Sequence, residues 1–234
     1  GTNDTIIGVT AGDDVTITAP GGIVATGVVT TGAGRDDRTL TFAPFSPTAP
    51  ATFQIVGSAP DQSNIILTAA AGGITANDVR AFGNLTANAS GLMSASGPLR
   101  AGGNIALTAA NADLAALATP AGDRIDTLNA GGNVTIAVTG VVTGGVVRAG
   151  GNVGITAGST ANLVEVAATT GNISVSAVDG MQIDEMRSGG TTGLASTNGD
   201  IVVNLLDSGG TVTASGRAVR IVGQNNLTFA NLAA

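Results

Sequence analysis

Four arginines occupy one position of a repeating frame. Arg80, Arg100, Arg148 and Arg187 each stand four residues before a marker at 84, 104, 152 or 191, and the equivalent positions elsewhere hold Asn129, Ala168 and Asp207. If successive repeats stack, these side chains form a broken stripe along one edge, with Arg80 and Arg100 in adjacent turns. Like charges that close are unfavourable unless something neutralises them. The simpler expectation is pairing with Asp78, Asp184 or Glu185. The sharper one is a binding edge for an acidic polysaccharide or another carboxylate-bearing partner, because guanidinium grips carboxylate in a bidentate fork.

Carboxylate pairs are the second set of residues with chemical potential. Asp13 and Asp14, Asp36 and Asp37, Asp123 and Asp126, and Asp184 and Glu185 are the candidates. Two such groups can run glycoside hydrolysis, and carboxylates beside a basic residue, often with Ca²⁺, serve lyases of acidic polysaccharides. Asp184 and Glu185 with Arg187 form the densest local cluster. A solvated or ion-paired face explains them more simply. The chain has no Tyr or Trp to stack on sugar rings, and no Lys or His to act as a base. The Arg35 to Arg38 segment alternates sign as a surface turn does. The Gly-Gly-x-Gly-x-Asp repeat of calcium-binding solenoids is absent, so neither a metal nor a cofactor is expected. Thr-x-Thr pairs, which can bind ice on flat solenoid faces, occur at residues 16–18, 39–41 and 211–213, but their spacing shows no shared register.

Composition narrows the classes further. Cys and His are absent, which removes disulfides, thiol nucleophiles, a Ser-His-Asp triad and thiolate or imidazole zinc sites. Nine arginines face sixteen acids, a net charge of −7. That balance argues against a nucleic-acid partner, which requires clustered positive charge. No apolar run reaches the roughly 18 residues of a membrane helix. Hydrophobic residues make up 43% of the chain but aromatics only 2%, so small aliphatic side chains must fill a narrow interior.

The frame that positions these residues is a Gly-Asn element followed by alternating apolar residues. Its markers are Asn64, Asn84, Asn104, Asn133, Asn152 and Asn172, continuing more loosely at Thr191 and Thr211, with steps of 20, 20, 29, 19, 20, 19 and 20 residues. A fixed period of this size is the signature of a solenoid. After Asn104, residues 105, 107 and 109 share one face; after Asn133, residues 134, 136 and 138 do the same. That alternation predicts half-buried strands. A second strand follows about ten residues later in each repeat, as in residues 181–184 and 201–205. Two or three short strands per repeat, joined by Gly and Asn turns, predict an all-β chain folded as a parallel β-helix. The repeated Asn reads as a turn residue that tolerates left-handed backbone and hydrogen-bonds to its equivalents above and below. The Asn-x-Ser/Thr sequences at Asn84, Asn133, Asn172 and Asn226 are by-products of this turn rather than glycosylation sites.

Two regions break the rhythm. Residues 110–122 account for the 29-residue step and are expected to protrude as a loop, with Asn111 capping a short helical turn that Pro120 ends. Residues 32–60 form an irregular loop with four prolines and Phe42, Phe45 and Phe53. Asp14 stands 50 residues before Asn64, room for two coils plus a loop. The whole of residues 1–234 then reads as one solenoid segment of about ten coils with ~20-residue repeats, and at ~4.8 Å per coil as a rod roughly 45–50 Å long. Neither end looks finished, so the chain is expected to belong to a longer rod or to stack on other copies, end to end or laterally.

The run Gly-Gly-Asn-Ile/Val-x-Leu/Ile-Thr-Ala, at residues 102–109 and 150–157, resembles the repeats of filamentous-haemagglutinin-like adhesins and related β-strand-repeat surface proteins of Gram-negative bacteria. The resemblance covers most of residues 11–234. It implies a right-handed parallel β-helix, secretion to the cell surface through an outer-membrane partner, and a role in attachment or biofilm with a host or matrix glycan as ligand. It brings no catalytic residues, and the N-terminal secretion domain of such proteins is not recognisable here. The expected function is a non-catalytic rod segment of a secreted or cell-surface adhesin-like protein. A self-assembling extracellular filament or surface layer, and a polysaccharide-active β-helix enzyme, are the alternatives.

Overall fold

The computed structural model describes residues 4–6, 9–11, 14–31, 38–41, 64–115, 117–118, 124–224 and 227–233. The protein is an all-β parallel solenoid of about eight turns with ~20-residue spacing. Among the described residues there is no helix, and the strands join into two parallel sheets of 11 and 13 strands plus one small antiparallel hairpin.

The 11-stranded sheet is built from the segments that follow the repeated Asn. Ile65–Ala69, Leu85–Ala89, Ile105–Ala109, Val134–Val138, Val153–Ala157 and Ile173–Ala177 lie side by side in that order. Equivalent residues face one another, as Ile105 does with Leu85 and with Val134. Ile105, Leu107 and Ala109 are buried, and the residues between them point outward. This is period-2 burial of a strand covered on one face.

The 13-stranded sheet carries the arginines. Its long strands include Ile74–Ala81, Val142–Ala149, Thr160–Ala168, Gly180–Ser188 and Ile201–Ser208. Their inward alternation slips by one residue midway. Met181 and Ile183 point inward, then Met186 and Ser188 do; Ala161 and Leu163 are followed by Val166 and Ala168. Two consecutive residues, such as Asp184 and Glu185, therefore turn away from the core, and the strand bends there into a corner. Each turn thus has three walls around a thin apolar column of Ile, Leu, Val and Ala with a few Met. A column this narrow has no room for rings, which accounts for the scarcity of aromatics.

The structure corrects the expectations at both irregular regions. Val15–Ala19 pairs directly with Ile65–Ala69, and Ile23–Thr31 with Ile74–Ala81. One coil precedes Asn64 across that gap, not two, and the count falls below ten. The intervening chain contributes Arg38–Thr41, which adds to the outer edge of Val15–Ala19. The rest of the expected loop, residues 32–37 and 42–60 with Phe42, Phe45 and Phe53, lies outside the described residues. At the second region, Asn111–Leu114 is not a helical turn. It is a strand in register between Leu92–Ala95 and Val142–Ala149, because Ala112 and Leu114 fill inward positions of the column. The extra residues enter after Leu114, at the corner. Leu117–Ala118 pairs with Arg124–Ile125 as an antiparallel hairpin, and Leu128–Ala130 then resumes the sheet. Pro120 lies outside the described residues.

Candidate functional site

The Gly-Asn pair works as a unit between turns. The side-chain oxygen of each Asn accepts the backbone N–H of the next Asn along the stack. Asn84 donates to Asn64 at 2.9 Å, Asn104 to Asn84 at 2.8 Å, Asn133 to Asn104 at 2.7 Å, Asn152 to Asn133 at 2.7 Å and Asn172 to Asn152 at 2.8 Å. Asp14 begins the ladder by accepting from the Asn64 N–H at 2.6 Å, and Thr191 ends it by donating to Asn172 at 2.7 Å. The preceding glycine is needed for space. A Cβ on Gly132 would lie 2.5 Å from Asn104 Oδ1, and one on Gly151 would lie 2.5 Å from Asn133 Oδ1. The six asparagines are thus spent on stacking. Asn133→Ala should cost about 1 kcal/mol, one net hydrogen bond, whereas Asn133→Asp should cost less because a carboxylate accepts the same bond, as Asp14 does. Urea unfolding of the two variants measures the difference.

The arginine stripe is a true column of the second sheet. Arg80 faces Arg100, Arg100 faces Asn129, Asn129 faces Arg148, Arg148 faces Ala167 and Ala167 faces Arg187, which faces Asp207. The fifth position is Ala167, not Ala168, because Thr169, Thr170 and Gly171 make that turn one residue longer than Gly150 and Gly151 do.

Part of the column is neutralised. The hairpin folds onto the corner and brings Arg124 to 3.2 Å from Glu185 and 3.7 Å from Glu165. Arg148 donates to Glu165 Oε1 through Nη2 at 2.8 Å and Nε at 3.1 Å, and its Nη1 meets Asp126 Oδ1 at 2.8 Å. Arg187 closes on Glu185. Three cations thus face three carboxylates. Asp126 Oδ1 and Glu185 Oε1 are buried and meet these arginines as charge contacts without hydrogen-bond geometry. Glu165 is 4% exposed. Burial alone would lower the Arg148 pKa, but the Glu165 hydrogen bond and the charges of Glu165, Asp126 and Glu185 together raise it. That raised value lies far above neutrality, so the stability it brings is fully present below the ordinary arginine range and independent of pH where proteins are handled. Glu165 and Glu185 face each other in register, but their oxygens are occupied by guanidinium groups. Asp184 is held by the Asn204 side chain at 3.0 Å. Of the other candidate carboxylates, Asp13, Asp36, Asp37 and Asp123 lie outside the described residues.

The other end of the column differs. Arg80 makes a bidentate pair with Asp78 of its own strand, at 3.0 and 2.9 Å. Arg100 is exposed and has no ion pair or side-chain hydrogen bond among the described residues. Beside it opens a shallow recess lined by Arg80, Phe82, Arg100, Gly102 and Asn129.

Sequence reasoning missed Glu165, Arg124 and Phe82. Glu165 and Glu185 stand one turn apart in sequence, a signal that was there to be read. Arg124 sits inside the insertion, where no period applies. The Thr-x-Thr segments at 16–18 and 39–41 lie on neighbouring strands, contrary to the spacing, but the rows break at Ile66 and Asn88. Among the described residues no three acidic side chains converge as a metal site. Comparison with protein-family models, curated proteins and solved structures gives no match to this chain.

Proposed function

We propose that this chain is a non-catalytic rod segment of a secreted or cell-surface protein with an adhesin-like role. The observation that carries the reading is the use made of its polar groups. The repeated asparagines bond turn to turn, and the buried carboxylates at the corner are tied to arginines. Such a surface offers length and rigidity rather than a poised acid and base. The Gly-Gly-Asn repeats resemble those of filamentous-haemagglutinin-like proteins, which supports export to the cell surface through an outer-membrane partner. Incubation with pectin, alginate and hyaluronan, with and without Ca²⁺, should yield no cleavage. Protease treatment of intact cells should remove the chain. Turnover that Glu165→Gln abolishes would overturn the non-catalytic reading, and full protection in intact cells would overturn the surface location.

A second reading, a self-assembling filament, draws on the opposite wall. From Ile66 to Ser215 the outward positions of the 11-stranded sheet hold Thr, Ser, Ala, Gly, one Ile and one Asn, with no charged residue. A flat uncharged wall lets a net negative chain approach another copy laterally. Light scattering across a concentration series separates single rods from bundles.

A further inference from the structure

We infer that the recess between Arg80, Phe82 and Arg100 is a binding site for a carboxylate-bearing sugar, one residue of a polyuronate chain. Three observations meet there. First, among the described residues the charge is locally uncompensated. Arg80 and Arg100 face each other on adjacent strands, and the acid beside them is Asp78, which pairs with Arg80. Farther along, Arg148 and Arg187 of the same column and Arg124 of the hairpin are matched by three carboxylates. Two cations with one anion, in a molecule of net charge −7, leave a site that gains by taking up an anion from outside. Arg100 presents its whole guanidinium fork, the donor geometry that fits a carboxylate in bidentate fashion.

Second, an exposed ring stands next to that fork. Phe82 is 52% exposed and lies two residues after Arg80, in the bend just past the end of Ile74–Ala81. Pyranose rings present apolar C–H faces that pack on aromatic faces, and burying a ring of this kind is a main source of affinity at a sugar site.

Third, the space beside the ring is held open. The residues that follow Phe82 along the stack are Gly102 and then Gly131. A Cβ on Gly102 would lie 2.2 Å from the Phe82 carbonyl oxygen, and one on Gly131 would lie 2.2 Å from the Gly102 oxygen. Neither position can therefore carry a side chain onto the shelf. Asn129 closes its far side, with its amide nitrogen donated to Asp126 at 2.6 Å, which leaves the amide oxygen to accept from a sugar hydroxyl. The arrangement is an aromatic wall, a glycine floor, a guanidinium clamp and one hydrogen-bond acceptor. That combination selects a pyranose with an equatorial carboxylate over a simple polyanion, which would need the clamp alone.

This site deepens the surface-rod reading and rests on it only for where the ligand is met; binding by the purified chain tests the site by itself. The probes are polygalacturonate, its fully methyl-esterified form, and polyacrylate, each measured by calorimetry at low salt. The purified chain should bind polygalacturonate, and the ester should bind at least tenfold more weakly. Arg100→Ala and Phe82→Ala should each weaken polygalacturonate binding about tenfold or more, while Arg217→Ala, which removes a distant exposed partner of Asp200, should leave it unchanged. Circular dichroism confirms that each variant keeps its strands. The inference is overturned if the parent chain does not bind polygalacturonate. It is equally overturned if polyacrylate binds as tightly and Phe82→Ala has no effect, since the clamp would then be reading charge alone.

Discussion

Gly150→Ala should destabilise the solenoid by about 3 kcal/mol, and Gly154→Ala, four residues on, should be neutral or stabilising by about 0.5 kcal/mol. The two glycines differ in what lies above them. A Cβ on Gly150 would fall 2.2 Å from the Gly131 carbonyl oxygen and 3.1 Å from its carbon. Both are backbone atoms of the neighbouring turn and cannot rotate aside. Relief requires the turns to part, which stretches the bonds from Gly150 N–H to the Ala130 oxygen, 2.9 Å, and from Gly151 N–H to the Gly132 oxygen, 2.8 Å. Two net hydrogen bonds at about 1 kcal/mol each, with overpacking strain of about 1 kcal/mol or more, give about 3. Gly154 lies outward in Val153–Ala157, and a methyl group added there would meet nothing within 4 Å. At that position alanine only removes freedom from the unfolded chain. Urea unfolding of both variants checks the contrast. Because turns of a solenoid can open separately, amide exchange at Gly151 and Val153 should report the Gly150→Ala loss locally. Equal stability of the two variants would mean that contact between turns does not set the glycine pattern.

That contrast shows why some of this protein could be read from its sequence and some could not. The period, the strands after each Asn and the inward residues were legible because every turn imposes the same local demands. Asn104 and Asn133 meet the same need one turn apart. The arginine column was legible for the same reason, to within the one residue by which the Thr169 to Gly171 turn is longer. The corner was not legible. Two outward residues in succession, such as Asp184 and Glu185, look in sequence like a lapse of alternation, and only pairing on both sides shows that the strand bends there. The gap before Asn64 misled for a related reason. Its length allowed two coils, but strand pairing spans it in one step, from Val15 to Ile65. The hairpin hid its role most fully. Arg124 is 61 residues from Glu185 and belongs to no repeat, so only the fold brings it over the corner. Phe82 was overshadowed by the phenylalanines at 42, 45 and 53, and its importance comes from the glycine one turn away.

Arg148→Ala should lower stability by about 2 kcal/mol at neutral pH. Arg148 joins Asp126 and Glu165, and its removal strands two carboxylates whose side chains are 17% and 5% exposed. Breaking a buried pair from one side costs about 3–5 kcal/mol. The arginine itself is 42% exposed, so water screens part of the attraction that is lost, and Arg124 remains 3.7 Å from Glu165. These two facts bring the expectation down to about 2 kcal/mol. Pairing Arg148→Met with Glu165→Leu should recover much of the loss, because an ion pair replaced by apolar groups of similar volume is often neutral. Urea midpoints of the parent, of Arg148→Ala, of Arg148→Met and of the double variant at pH 7 decide the matter. A loss in Arg148→Met alone much smaller than in Arg148→Ala would show that Arg148 acts through the packing of its aliphatic stem and not through the charges it balances.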